Sequence, residues 1–192
     1  MMIDFAAFVQ RLDQTKTINN KLRDALFGGI HRNRFEGSET FVSPGNYPGS
    51  IYYIQSGIVR GSIEGPQDKI TTWFKREGDI IIPQGVLQQR PSEEYISAVT
   101  KTTLLSVSFN HLNKVIQAHP EAIDLLLLLM NEKTEEGQYR ERMLRISGAR
   151  ERYNYFLKKE SFVLNRVPHF LIASYLNVTK ETFSRLNKGL SY

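Results

Sequence analysis

The chain changes texture once, and that change limits its fold. From Ile30 to Phe109 it consists of short β-branched and aromatic runs: Ile51 to Ile54, Ile58 to Ile63, Ile70 to Phe74, Ile80 to Ile82, Tyr95 to Val99 and Leu104 to Phe109. Turn-forming clusters separate them at Ser43 to Asn46, Tyr47 to Gly49, Gln55 to Gly57, Glu64 to Pro66 and Glu77 to Asp79. The last run alternates, with Leu105, Val107 and Phe109 against Ser106 and Ser108, which predicts a strand with one apolar face. No helical pattern intervenes between the runs, so parallel βαβ units are excluded and an antiparallel sandwich or jelly roll is expected.

On either side of this region the period is helical. Ile3, Phe5, Phe8, Val9, Leu12, Leu22, Leu26 and Phe27 predict one or two short helices that stop at Gly28 and Gly29. After Asn110 the sequence predicts a short helix over 111–118, Pro120 in a first turn, a long helix from Glu121 to about Ile146, a break at Ser147 and Gly148, and a basic helix over 149–159. The expected fold class is therefore α+β: an antiparallel β-roll domain over 1–120, a long helix over 121–146 and a helical domain over 147–192. With 41% hydrophobic residues, pieces of about 120 and 50 residues can each bury a core.

Spacings of four and three along the long helix select Ile123, Leu127, Met130, Thr134, Gly137, Glu141 and Leu144. This seam is apolar at its ends and polar in the middle, and it suits pairing with a second copy, whereas Leu125 to Leu129 could instead cover the β domain. Charge is divided between the same regions. The last 60 residues carry twelve Lys and Arg against six Asp and Glu, and the first 132 carry thirteen against fourteen, so +6 and −1 make up the net +5. A basic module on a neutral body predicts a local surface for a polyanion, with a solvated basic face as the plainer reading.

Residues 167–190 give that surface a shape. Pro168 opens a helix with Leu171, Ile172, Tyr175 and Leu176 on its apolar side, and Asn177 ends it in a residue that tolerates the left-handed conformation. Thr179 caps a second helix, Glu181 sits in its first turn, and Phe183, Leu186 and Leu190 form its buried stripe. Small Ala173, the turn at Asn177 and the core residues Phe183 and Leu186 have helix-turn-helix spacing. The outer face then presents Lys180, Glu181, Ser184, Arg185, Asn187 and Lys188, and Glu181, Arg185 and Lys188 project together. Arg matches guanine, Glu accepts from cytosine and Lys serves guanine or phosphate, so the face suits a DNA major groove.

The run VPHFLIASYLNVTKETFSRLNKGL resembles the DNA-binding end of the Crp/Fnr transcription regulators, and IYYIQSGIVRGSI, GDIII and ISAVTKTTLLSVSF resemble strands of that family's cyclic nucleotide-binding-like β-roll. The likeness spans about residues 20–190. It implies a sensor domain over 1–120, a dimerisation helix over 121–146 and a DNA-binding domain over 147–192. Lys180, Glu181, Ser184 and Arg185 would face bases, and Thr179, Thr182 and Lys188 would touch phosphates. Implied partners are double-stranded DNA, a second copy of the chain, RNA polymerase and a small-molecule effector.

Two departures qualify the resemblance. Members that bind cyclic nucleotides carry a Gly-Glu pair and an Arg where this chain has Ile82, Pro83 and Ser92, so an effector other than cAMP is expected, in a pocket near Gln84, Arg90 and Ser92, with Arg90 as a substitute anion ligand. The family's usual wing after the recognition helix is not expected, because the sequence ends at Tyr192. Cysteine is absent, which excludes thiolate metal sites, iron–sulfur sensing and disulfides, and suits a reducing compartment.

The competing reading is a cupin-like β-barrel, either a metal-dependent enzyme or a ligand-binding protein. His31, His111, His119 and His169 lack metal-ligand spacing, and no nucleophile elbow or phosphate-binding glycine loop is present, so no enzyme activity, cofactor or metal is expected. The charged N-terminus and a longest apolar run of six residues, Leu125 to Met130, predict a cytoplasmic protein without a membrane partner.

Overall fold

The computed structural model of the chain describes residues 6–188, so Ile3, Phe5 and Leu190 of the predicted stripes lie outside the described residues. Helices α1 (Ala6–Thr15) and α2 (Asn20–Phe27) lead into strands β1 (Ile30–Phe35), β2 (Thr40–Val42), β3 (Ser50–Ser56), β4 (Val59–Ile63), β5 (Ile70–Lys75), β6 (Ile80–Ile81), β7 (Tyr95–Ala98) and β8 (Thr102–Ser108). Helices α3 (Phe109–Ala118), α4 (Ala122–Arg145), α5 (Ala149–Glu160), α6 (His169–Tyr175) and α7 (Lys180–Lys188) follow. The described strands form two four-stranded antiparallel sheets, ordered β1-β8-β3-β6 and β2-β7-β4-β5. The fold class is α+β, as the sequence predicts.

The two sheets enclose Val42, Ile54, Val59, Ile81, Ile96 and Leu104. The outer face of the β1-β8-β3-β6 sheet is also covered: Tyr53, Ile80 and Leu105 join Phe8, Leu12, Leu22 and Leu26 of the first helices and Leu125 and Leu129 of α4. A sheet packed on both faces has no polar side, and so Leu104 and Leu105 are both buried in β8. Leu105 and Val107 pack together in the outer cluster, as the alternation predicts, while the opposite side, with Leu104 and Ser106, is buried as well. Phe109 belongs to α3 rather than to the strand, because Ser108 caps that helix by accepting from His111 N–H at 3.1 Å. Gly57, at φ +104, makes the β3–β4 turn, and a Cβ there would lie 2.7 Å from the Lys101 carbonyl oxygen.

A third core continues from the β domain into the helical one. Ile58 and Phe74 pack with Met143 of α4, Tyr153 and Phe156 of α5, and Ile172, Tyr175 and Phe183 of the last two helices. Ile146 to Gly148 separate α4 from α5, at the break expected from Ser147 and Gly148. Pro120 lies in the turn before α4. Among the described residues no helix is long and apolar enough to cross a membrane.

Candidate nucleic-acid interface

α6 and α7 are built by local chemistry at each end. The Pro168 carbonyl starts α6 by accepting from Leu171 at 3.0 Å, and Leu176 closes it. Asn177 then takes φ +51, and Val178 N–H returns to the Ala173 carbonyl at 3.0 Å, which satisfies the end of the helix. The Thr179 hydroxyl accepts from Thr182 N–H at 3.2 Å and the Thr179 carbonyl from Phe183 N–H at 2.9 Å, so Thr179 caps α7. Phe183 and Leu186 are buried, and the Phe183 ring stands edge-on to Tyr153 with centroids 5.9 Å apart.

The outward side of α7 carries Lys180, Glu181, Arg185 and Lys188, all exposed, with Thr182 and Ser184 half-buried between them. Arg185 donates to the Thr182 hydroxyl at 3.3 Å, and the Lys180 ammonium lies 5.7 Å from the centre of the Phe170 ring, itself half exposed on α6. The backbone N–H at the start of α7 holds the Glu181 carboxyl below the usual carboxylate range. Asn187, expected on this face, instead accepts from the Tyr153 hydroxyl at 2.9 Å and belongs to the inner side.

Arg152 is the residue that sequence reasoning missed. It is 9% exposed, and its guanidinium donates to the Leu176 and Asn177 carbonyls at 2.8 and 3.1 Å and to the Ile146 carbonyl at 2.9 and 3.1 Å. It thereby fastens the turn between α6 and α7 to the break between α4 and α5. A cation whose partners are backbone carbonyls leaves no signature in the sequence, so Arg152 read as one more charge on a basic helix.

Gln84 and Ser92, expected around the effector, both bond Glu94, and Arg90 N–H donates to the carbonyl of Gly85 beside Gln84 at 3.1 Å. Ser92 is 2% exposed, donates from its hydroxyl to the Glu94 carbonyl at 3.0 Å and accepts from Glu94 N–H at 3.1 Å. The Gln84 side-chain amide donates to Glu93 at 3.3 Å, and Arg90 is exposed. The neighbouring buried group is Glu94, whose carboxylate accepts from Gln84 N–H and from the Trp73 indole N–H, each at 3.0 Å. Trp73 packs on Gly61 so closely that a Cβ there would come within 2.1 Å of the ring. A carboxylate that has already taken these donors repels an anion brought to the same place.

An opening adjoins Glu94. A cleft of about 620 Å³ separates the β5–β6 edge from α4, α5 and α6, with Trp73, Glu94, Lys133, Arg140, Glu160 and Tyr175 among its walls, and neither Gln84, Arg90 nor Ser92 lines it. Lys133 donates to the Ile82 carbonyl at 2.6 Å across it, and burial lowers the Lys133 pKa. The histidines sit apart: His111 bonds the Ala25 carbonyl at 2.8 Å, His119 lies 3.7 Å from Glu121, His169 packs on Phe183, and His31 is exposed on β1. Among the described residues no three His, Asp or Glu side chains converge as metal ligands.

Comparison with known proteins agrees with this architecture. Residues 32–119 match the family described as cyclic nucleotide-binding domain. No curated protein sequence matches the chain. Among solved structures, FixK2 from Bradyrhizobium japonicum superposes with a TM-score of 0.75 at 18% identity, covering 84% of each chain. CLP from Xanthomonas campestris, described as a c-di-GMP responsive global regulator, gives 0.70 at 19% identity over 90% of this chain and 92% of that one. A regulator from Eubacterium rectale assigned to the Crp/Fnr family gives 0.72 at 14% identity over 91% and 84%. The chain thus shares the fold of these solved structures, and its residues 32–119 resemble a cyclic nucleotide-binding domain.

Proposed function

We propose that the chain is a transcription regulator that binds double-stranded DNA as a homodimer, with sensor, dimerisation and DNA-binding parts over 1–120, 121–146 and 147–192. The observation that carries this reading is the outward face of α7: Lys180, Glu181, Arg185 and Lys188 are exposed on one helix, while Phe183 and Leu186 brace it from behind. Lys180, Glu181, Ser184 and Arg185 read base edges; Thr179, Thr182 and Lys188 hold phosphates. The recognition helices of two chains then enter successive major grooves about 34 Å apart.

The dimer reading draws on α4, where Ile123, Leu127, Thr134, Gly137, Glu141 and Leu144 of the expected seam are exposed while Leu125 and Leu129 face the β-roll. The effector reading draws on the cleft beside α4 rather than on the surface around Arg90, and Glu94 beside Trp73 disfavours a cyclic phosphate there. Regulation through RNA polymerase belongs to the same proposal.

Selection of bound sequences from random duplex DNA tests the reading. A two-fold related consensus is expected, with an affinity that falls steeply between 50 and 200 mM salt, by roughly 10³-fold or more if about six phosphates are contacted. Recovery of random sequence with a flat salt response would defeat it.

A further inference from the structure

Three parts of the molecule meet at one cluster in the wall of the cleft, where Tyr175 is buried and Arg140 and Glu160 are half-buried. Arg140 of α4 donates to the Tyr175 carbonyl at the end of α6 and to the Thr71 carbonyl of β5, each at 2.9 Å, and its guanidinium lies 4.2 Å from the centre of the Tyr175 ring. The Tyr175 hydroxyl donates to Glu160 Oε1 at 2.6 Å, at the end of α5. Glu160 Oε2 is buried without a hydrogen-bond partner among the described residues. Beside it, Thr71 N–H donates to the Ser174 hydroxyl at 3.0 Å, so β5 is bonded to α6 directly as well.

We infer that Arg140, Tyr175 and Glu160 form a proton-sensitive clasp that positions the helix-turn-helix against the β-roll, and that it loosens when Glu160 loses its proton. An ionised carboxylate with one unpaired oxygen in this place loses more hydration than the neutral acid does. Burial pushes the Glu160 carboxyl up to about 7, against the opposing effects of the Tyr175 hydroxyl, Arg140 and Lys159; Glu136 of α4 adds to the rise. The charged and titratable groups around it are Arg140, Glu136 and Tyr139 from α4, Lys159 from α5 and Tyr175 from α6, and on the β5 side Lys75 pairs with Glu136 at 2.7 Å.

The sign follows from linkage. The clasped state binds the Glu160 proton more tightly than a released state in which the carboxyl is hydrated and returns to its ordinary 4.5. Clasping is therefore at full strength below pH 4.5, weakens as pH rises from 4.5 to about 7, and is level above that. The decline approaches roughly tenfold per pH unit within the window. The clasp rests on the DNA-binding reading only for its consequence, which is that proton loss frees α7 from a fixed position.

The test is made on the full chain without DNA, so that its failure and a failure to bind DNA are separate results. Two quantities are followed from pH 5 to 8: the amide-exchange protection factor of Thr71 and the side-chain carbon signal of Glu160 in ¹³C-labelled protein. Expected are a Glu160 midpoint near 7 and Thr71 protection that falls up to that pH and then levels. Glu160→Gln should keep its protection constant across the range, and Arg140→Gln should lower it at every pH. His169, the imidazole of that module, is present in every protein compared, so a difference between wild type and Glu160→Gln belongs to Glu160. If the Gln variant does not fold, the two wild-type curves decide by coinciding or not. A Glu160 midpoint near its ordinary value, or the same pH dependence in Glu160→Gln, overturns the clasp.

Discussion

Arg152 and Arg185 have the same side chain and opposite environments. Arg152 has four carbonyl contacts and almost no exposure, so its charge organises the interior and is withheld from any partner. Arg185 is exposed and is oriented only by the Thr182 hydroxyl, which leaves most of its guanidinium donors free. A planar fork of free donors on the outer face of a helix suits the two acceptors of guanine, whereas Lys188 at the end of α7 is a mobile point charge better matched to phosphate. Arg185→Ala is therefore expected to cost about 1 to 3 kcal/mol on the selected sequence and to relax preference at one base pair. Lys188→Ala should weaken all sequences alike and reduce the salt slope by about 1. Fluorescence anisotropy across single-base variants of the site separates the two, and equal losses from both would argue against base reading by Arg185.

At the scale of elements, legibility in the sequence followed the range of the interactions. α6 and α7 were readable because Pro168, Asn177 and Thr179 each act within four residues on the backbone that they shape. β1 escaped because Ile30–Phe35 reads IHRNRF, with apolar residues only at its ends. Among the described residues it is an edge strand, paired with β8 alone, and its charged side chains deter a further strand from joining. β2 is three residues long, too short for any period to show. The cleft was illegible for another reason: Glu94, Arg140 and Glu160 take partners from distant elements, and no spacing rule anticipates them. One such long-range pair can be tested by pH. Arg166, just before α6, meets Glu77 of the β5–β6 turn at 2.5 and 3.0 Å, and this hydrogen bond leads the causes that hold the Glu77 carboxyl down to about 2. Because the folded value lies below the ordinary 4.5, the pair contributes above that pH, and the contribution is lost as pH falls toward 2. Both side chains are more than a third exposed, so screening keeps the effect to less than about 1 kcal/mol. The difference in unfolding midpoint between wild type and Glu77→Gln is expected to be constant from pH 7 to 5 and to shrink at pH 3. A difference that grows on acidification would contradict the assignment.

At the scale of the whole molecule, α4 has one side buried and one side exposed. Ala122, Leu125, Leu129, Tyr139 and Met143 are buried against the chain's own body, while Leu127 is 61% exposed, with Ile123 and Leu128 exposed beside it and Leu144 near the far end. Two α4 helices paired in parallel through that side would carry both helix-turn-helix modules at the same end, which is the geometry that a two-fold related DNA site requires. Leu127→Asp places two carboxylates across this seam without touching Leu125 or Leu129, so the β-roll should unfold at an unchanged midpoint while the dimer separates. Sedimentation velocity at micromolar concentration should then show a monomer, and DNA affinity should fall by about 10²-fold or more, because each half-site is bound without the high local concentration that its twin supplies. A variant that still sediments as a dimer would place the interface elsewhere. A wild-type chain that sediments as a monomer would leave the exposed leucines of α4 without the role given to them.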